Sequence, residues 1–125
     1  MRIFKTKRFH KWASNEGLSD EVLSIAVDEM EHGLIDANLG GNVYKKRISL
    51  QDRGKRSGVR TLLAFKQEEC TFFMYGFAKN ERSNIKDDEL KALKAYAREL
   101  LGYSDRALNK ALQAKKLFEV INDGE

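Results

Sequence analysis

Apolar residues recur along this chain first at helical spacing, then at strand spacing, then at helical spacing again. Arg2-Ile3-Phe4 reads as a short strand, and Thr6 to Ser14 as a weakly periodic helix with Phe9, Trp12 and Ala13 on one side, broken by Asn15-Glu16-Gly17. The firmest local pattern follows. Ser19 suits an N-cap, Asp20 and Glu21 suit the positive end of a helix dipole, and Val22, Leu23, Ile25, Ala26, Val27 and Met30 form the apolar side of a helix from Ser19 to His32. Gly33 supplies the residue able to end that helix in a left-handed turn, with Leu34 packing back on it.

After Gly40-Gly41 the period changes to that of strands. Val43 to Leu50 alternates loosely, Gln51 to Gly58 reads as a loop, and Val59 to Lys66 and Thr71 to Phe77 are rich in β-formers joined by the short connection Gln67-Glu68-Glu69-Cys70. These are three consecutive antiparallel strands. The continuous apolar run in the last one predicts a central strand buried on both faces. Asp87 and Asp88 then open a helix in which Leu90, Leu93, Ala97, Leu100 and Leu101 recur as far as Gly102. Ser104 caps a shorter helix through Ala114, and Leu117 to Ile121 reads as a final short strand. The pattern predicts one α+β domain over residues 1–125: a small antiparallel sheet with N-terminal helices and a C-terminal helical extension, residues 86–125.

Composition narrows the classes. With 125 residues, 42% apolar, 34% charged and no proline, the chain is too apolar for disorder and has the wrong make-up for a collagen or a linker. Phe72 to Tyr75 is as long as any uninterrupted apolar run, far short of the roughly 20 residues of a membrane span, and the first residues carry no apolar signal region. The lone Cys70 can close no intramolecular disulfide, which fits a reducing compartment, so the expected location is the cytoplasm.

The net charge of +4 hides a segmentation. Residues 1–16 carry a net +4, residues 17–44 hold six acids and no Lys or Arg, and residues 61–125 balance. Between them, residues 45–60 hold Lys45, Lys46, Arg47, Arg53, Lys55, Arg56 and Arg60 against Asp52 alone. A net +6 within sixteen residues is the footprint of phosphate binding, because each neutralised phosphate releases condensed counterions.

Most catalytic chemistries find no support in the residues. His10 and His32 are separated by a helix boundary and no Cys or His accompanies either, so no metal site is expected. Cys70 begins an apolar strand with no base beside it, there is no Gly-x-Ser-x-Gly elbow, and Gly54-Lys55-Arg56-Ser57-Gly58 lacks the ending of a phosphate-binding loop. No cofactor is implied. Cationic chemistry on strands remains. Residues two apart on a strand share a face, so Lys45 and Arg47 project together while Lys46 points away. Antiparallel pairing brings Arg60 near Arg47, and Arg82, just past the apolar strand, can reach the same surface. Four cations on one face bind a phosphodiester and, more selectively, its pentacoordinate transition state. Crowding disfavours the protonated form of a lysine, which makes Lys45 the one of the four able to act as a base.

The order Val43-Tyr44-Lys45-Lys46-Arg47-Ile48, then Gly58-Val59-Arg60-Thr61, then Phe73 to Ile85 with Lys79-Asn80-Glu81-Arg82-Ser83 resembles the RelE-type toxins of bacterial type II toxin–antitoxin systems, in the RelE-like subgroup with a C-terminal helical extension. The resemblance implies a RelE/ParE-like fold and a metal-independent endoribonuclease that cuts messenger RNA in the ribosome, uses the RNA 2′-hydroxyl as nucleophile and is neutralised by a cognate antitoxin. It also implies roles: Lys45 as general base, Arg47 as its neighbouring cation, Arg60 on the scissile phosphate and Arg82 at the leaving group. Lys46, Arg53, Lys55, Arg56 and Lys86 are the expected substrate-binding cations. Lys86 stands where the archetype carries a catalytic tyrosine, so stacking or leaving-group chemistry must come from elsewhere, Lys86 included. Two other readings stay open: a ParE-like gyrase poison, and an accessory protein whose cations only hold nucleic acid.

Overall fold

The computed structural model describes residues 1–49 and 58–121. In chain order the elements are β1 (Arg2–Thr6), α1 (Lys7–Glu16), α2 (Asp20–Glu31), β2 (Ala37–Gly40), β3 (Val43–Ile48), β4 (Val59–Lys66), β5 (Cys70–Ala78), α3 (Asp87–Leu101), α4 (Asp105–Gln113) and β6 (Leu117–Glu119). The six strands form one sheet in the order β2-β3-β4-β5-β1-β6. Every pairing is antiparallel except β1 with β5. The α+β class and the β3-β4-β5 meander agree with the sequence pattern. β2 and the parallel pairing of β1 are additions to it.

Local chemistry accounts for the helix ends. The Thr6 hydroxyl accepts from the Phe9 N–H (3.2 Å), Ser19 from Val22 (3.2 Å) and Ser104 from Ala107 (3.1 Å), each satisfying a donor that has no partner within its own helix. Gly17 closes α1 at φ +77°, where a β-carbon is costly.

The sheet is covered on both sides. α1 and α2 bury Phe9, Leu23, Val27 and Met30 against Ile48, Val59, Leu63 and Phe73. α3 and α4 bury Ala97, Leu100 and Leu108 against Val43, Ala64, Phe72 and Met74 on the opposite face. β5 is therefore buried on both faces, as its apolar run requires. On the α3 side the burial stops short. The rows nearest β3's C-terminal end carry the cations instead of apolar residues, and that part of the sheet becomes the candidate site.

Candidate functional site

Strand register fixes the geometry. Arg47 lies directly opposite Arg60, which lies opposite Phe77; one step along, Lys45 pairs with Leu62 and Leu62 with Tyr75. Partners across a ladder share a face, so Lys45, Arg47 and Arg60 project together over a floor of buried Leu62 and Phe77. Like charges directly opposite each other destabilise a sheet. The Arg47–Arg60 pair is thus a cost to the fold that an anion on this face would relieve. Gly58 lies beside the pair: a β-carbon there would make ordinary contacts, 3.8 Å from the Arg60 guanidinium and 3.9 Å from the Arg47 side chain.

Arg82 reaches the same surface from the turn after β5. Its Nε donates to the Asn84 carbonyl (2.9 Å), while the Asn84 side-chain oxygen lies 3.5 Å from Lys45 Nζ, so one residue links the two cations. The Arg82 guanidinium stands 5.7 Å from the Phe77 ring centre and donates to the Tyr75 hydroxyl (3.2 Å). The structure thus brings Lys45, Arg47, Arg60 and Arg82 onto one face.

Arg82 differs from the other three in being held by a carboxylate. Glu89, at the start of α3, takes it in a two-point contact of 2.6 and 3.1 Å and also accepts the Lys86 backbone N–H (2.8 Å). The Arg82 hydrogen bonds, followed by that backbone donor, hold the Glu89 carboxyl down to about 2, and the same contact pushes Arg82 further up. The partner lies seven residues on from Arg82, in the first turn of α3. Among the described residues no carboxylate forms an ion pair with Lys45, Arg47 or Arg60.

The substrate-binding set divides. Lys46 is a correction. It points to the α2 face, where it is buried, forms an ion pair with Glu29 (2.8 Å) and donates to the Leu34 carbonyl (3.1 Å), so it is committed to packing and unavailable to a ligand on the cationic face. Lys86 caps the start of α3 and is exposed beside the site. Arg53, Lys55 and Arg56 lie outside the described residues. Tyr75, which the apolar context of β5 assigned to the core, is half-buried between two arginines: Arg8 stacks over its ring at 5.0 Å and Arg82 bonds its hydroxyl. No spacing rule marks it, because its role depends on where α1 ends up.

Burial pushes the Cys70 thiol up, which makes it a poor nucleophile. Among the described residues no group of three or more His, Cys, Asp or Glu side chains is placed to hold a metal ion, and no helix is long and apolar enough to cross a membrane. A family model described as the RelE toxin of the RelE / RelB toxin-antitoxin system matches residues 1–120. No curated protein matches the chain.

Proposed function

The chain belongs to the RelE family, hence is a toxin of a toxin–antitoxin system with a RelB-type antitoxin as its cognate partner, and we propose that it acts as a metal-independent endoribonuclease on ribosome-bound messenger RNA in the cytoplasm. The observation that carries this reading is the cross-strand Arg47–Arg60 pair on the face shared with Lys45 and Arg82. A fold that needed only a soluble surface would gain by placing an acid at either position.

In this reading the 2′-hydroxyl of the nucleotide before the scissile bond attacks phosphorus. Lys45 Nζ takes the 2′-hydroxyl proton as the P–O2′ bond forms. Arg47 and Arg60 bind the non-bridging oxygens, whose negative charge grows in the pentacoordinate state, so their attraction is greater there than in the ground state. The P–O5′ bond breaks, water supplies a proton to the departing 5′-oxygen, and the products are a 2′,3′-cyclic phosphate and a 5′-hydroxyl. Arg82 stabilises the charge on that oxygen, and Glu89 with Asn84 holds it in place. Lys86, exposed at the start of α3, extends the phosphate track.

Purified protein added to translating ribosomes tests the reading. Codon-phased cleavage of messenger RNA is expected, and Arg60→Ala should lower it by about 10- to 100-fold, the equivalent of one charge-assisted phosphate contact, without lowering the unfolding midpoint, since the variant relieves the Arg47–Arg60 repulsion. DNA damage with intact messenger RNA would instead support gyrase poisoning, and binding without either effect an accessory role.

A further inference from the structure

β1 runs beside β5 only as far as Lys5 opposite Phe73, because Thr6 then caps α1 and the chain turns away. Past the Thr6 hydroxyl, which donates to the Met74 carbonyl (3.3 Å), no strand pairs with this edge of β5 among the described residues, and a cleft of about 230 Å³ lies between it and α1. Trp12 comes from α1; Tyr75, Gly76 and Phe77 come from β5; Arg8, Arg82 and Glu81 line it as well. Gly76 is required for its shape, since a β-carbon there would collide with the Trp12 ring. Two of its lining residues belong to the cationic face: Phe77 is opposite Arg60 and Arg82 is linked through Asn84 to Lys45.

We propose that this cleft is a nucleobase subsite for the RNA strand whose phosphate lies on Arg47 and Arg60, an assignment that rests on the ribonuclease reading above. Its size is below the roughly 300 Å³ of the smallest drug-sized pockets, which suits one planar ring. Aromatic side chains flanked by guanidinium groups are the usual platform for an unpaired base, through stacking and cation–π attraction. The Arg8–Tyr75 stack shows that such a contact already forms here. Glu81 in the lining can accept from the exocyclic amine of a base, and of the two lining arginines Arg82 is already held by Glu89, so the phosphate stays on Arg47 and Arg60 and the base turns into the cleft.

Trp12 is the only tryptophan of the chain, so the cleft carries its own fluorescent reporter. The full-length protein is titrated with a hexaribonucleotide fully methylated at its 2′-oxygens, which cannot be cleaved, and with the same hexamer made abasic. The base-bearing hexamer is expected to quench Trp12 emission, and the abasic one to bind about 5- to 150-fold more weakly without quenching. Tyr75→Leu should remove most of that difference, and Tyr75→Phe, which keeps the ring and loses only the hydroxyl that Arg82 donates to, should keep it. Equal behaviour of the two hexamers, or no quenching up to about 1 mM, overturns the proposal. So does quenching by the cognate antitoxin alone, which would make the cleft a protein-binding surface. The two readings fail separately. Codon-phased cleavage without base-dependent quenching removes the subsite and leaves the nuclease; quenching without cleavage does the reverse.

Discussion

The two faces of the sheet use the same residue types to opposite ends. Behind the sheet, Lys5 and Lys46 have side chains only 8% exposed, and each is met by a carboxylate of α2: Asp20 at 2.9 Å and Glu29 at 2.8 Å. In front, Lys45, Arg47 and Arg60 have no such partner among the described residues. The acidic block of residues 17–44 thus neutralises the rear lysines, and Asp36 from the same block takes the Arg47 backbone N–H at 2.6 Å. Charge segmentation in the sequence becomes sidedness in the fold. Behind the sheet Lys5 and Lys46 are paired; Lys45, Arg47 and Arg60, without a carboxylate partner among the described residues, share the front.

Adjacent lysines make the sharpest test of that division. Lys45→Met should lower RNA cleavage by about 10²- to 10⁴-fold, the usual contribution of a general base, with urea unfolding unchanged. A loss of stability in place of activity would show that Lys45 is structural and would break the comparison. Lys46→Met should do the opposite. It removes two polar contacts of a buried ammonium, at a cost of about 1–3 kcal/mol that is moderated by the partial exposure of Glu29, while cleavage per folded molecule stays the same.

Arg82 stands between the two classes, on the front face but held by a carboxylate. Glu89→Gln keeps an acceptor for the Lys86 N–H yet withdraws the charge and one of the two oxygens from Arg82. The freed arginine should bind RNA a few-fold more tightly and turn it over a few-fold more slowly, so that KM and kcat fall together. If neither moves, Arg82 is a structural cation like Lys46. Glu89 also gives the fold an acid dependence of definite sign: its carboxyl is held at about 2 in the folded chain, so its stabilising contribution is complete above the ordinary carboxylate range and is lost as the pH falls from there toward 2.

Much of this sidedness is legible in the sequence because it rests on local rules. Period-two alternation places Lys45 with Arg47, and a short connection between two β-rich segments fixes β4 against β5; Ser19 and Ser104 announce their helices by cap chemistry. What alternation cannot supply is what lies across the sheet. It turns Lys46 away from Lys45 but does not reveal Glu29 on a helix that crosses behind, so a phosphate ligand and a buried ion pair look alike. β2, Ala37–Gly40, carries poor β-formers and exists as a strand through its pairing with β3. The parallel β1–β5 pairing joins segments some seventy residues apart, and the β5-edge cleft depends on where that pairing stops. Whether Tyr75 is a core ring or a base-stacking one is a choice that the sequence leaves open for the same topological reason.

His10 provides the smallest effect and the most selective check on the paired side. Its ring stacks on Phe118 of β6 at 3.8 Å, and its Nδ1 is buried without a hydrogen-bond partner. Burial, then the nearby Lys5 ammonium, pushes its pKa down, and the Asp20 carboxylate opposes this only in part. Asp20 itself is pushed up by burial but is held below the ordinary range by the Ile121 N–H and Lys5 together. A histidine whose folded pKa is lowered leaves the unfolded chain binding more protons, so stability falls as the pH drops through the ordinary histidine range toward the folded value. His10→Phe keeps the stacking and removes both the unpartnered nitrogen and this proton linkage. The variant should gain more stability over wild type at pH 5 than at pH 8, measured by urea unfolding, with cleavage unaffected. An equal gain at both values would mean that packing alone governs the position, and that Lys5 and Asp20 neutralise each other completely without a third titrating group.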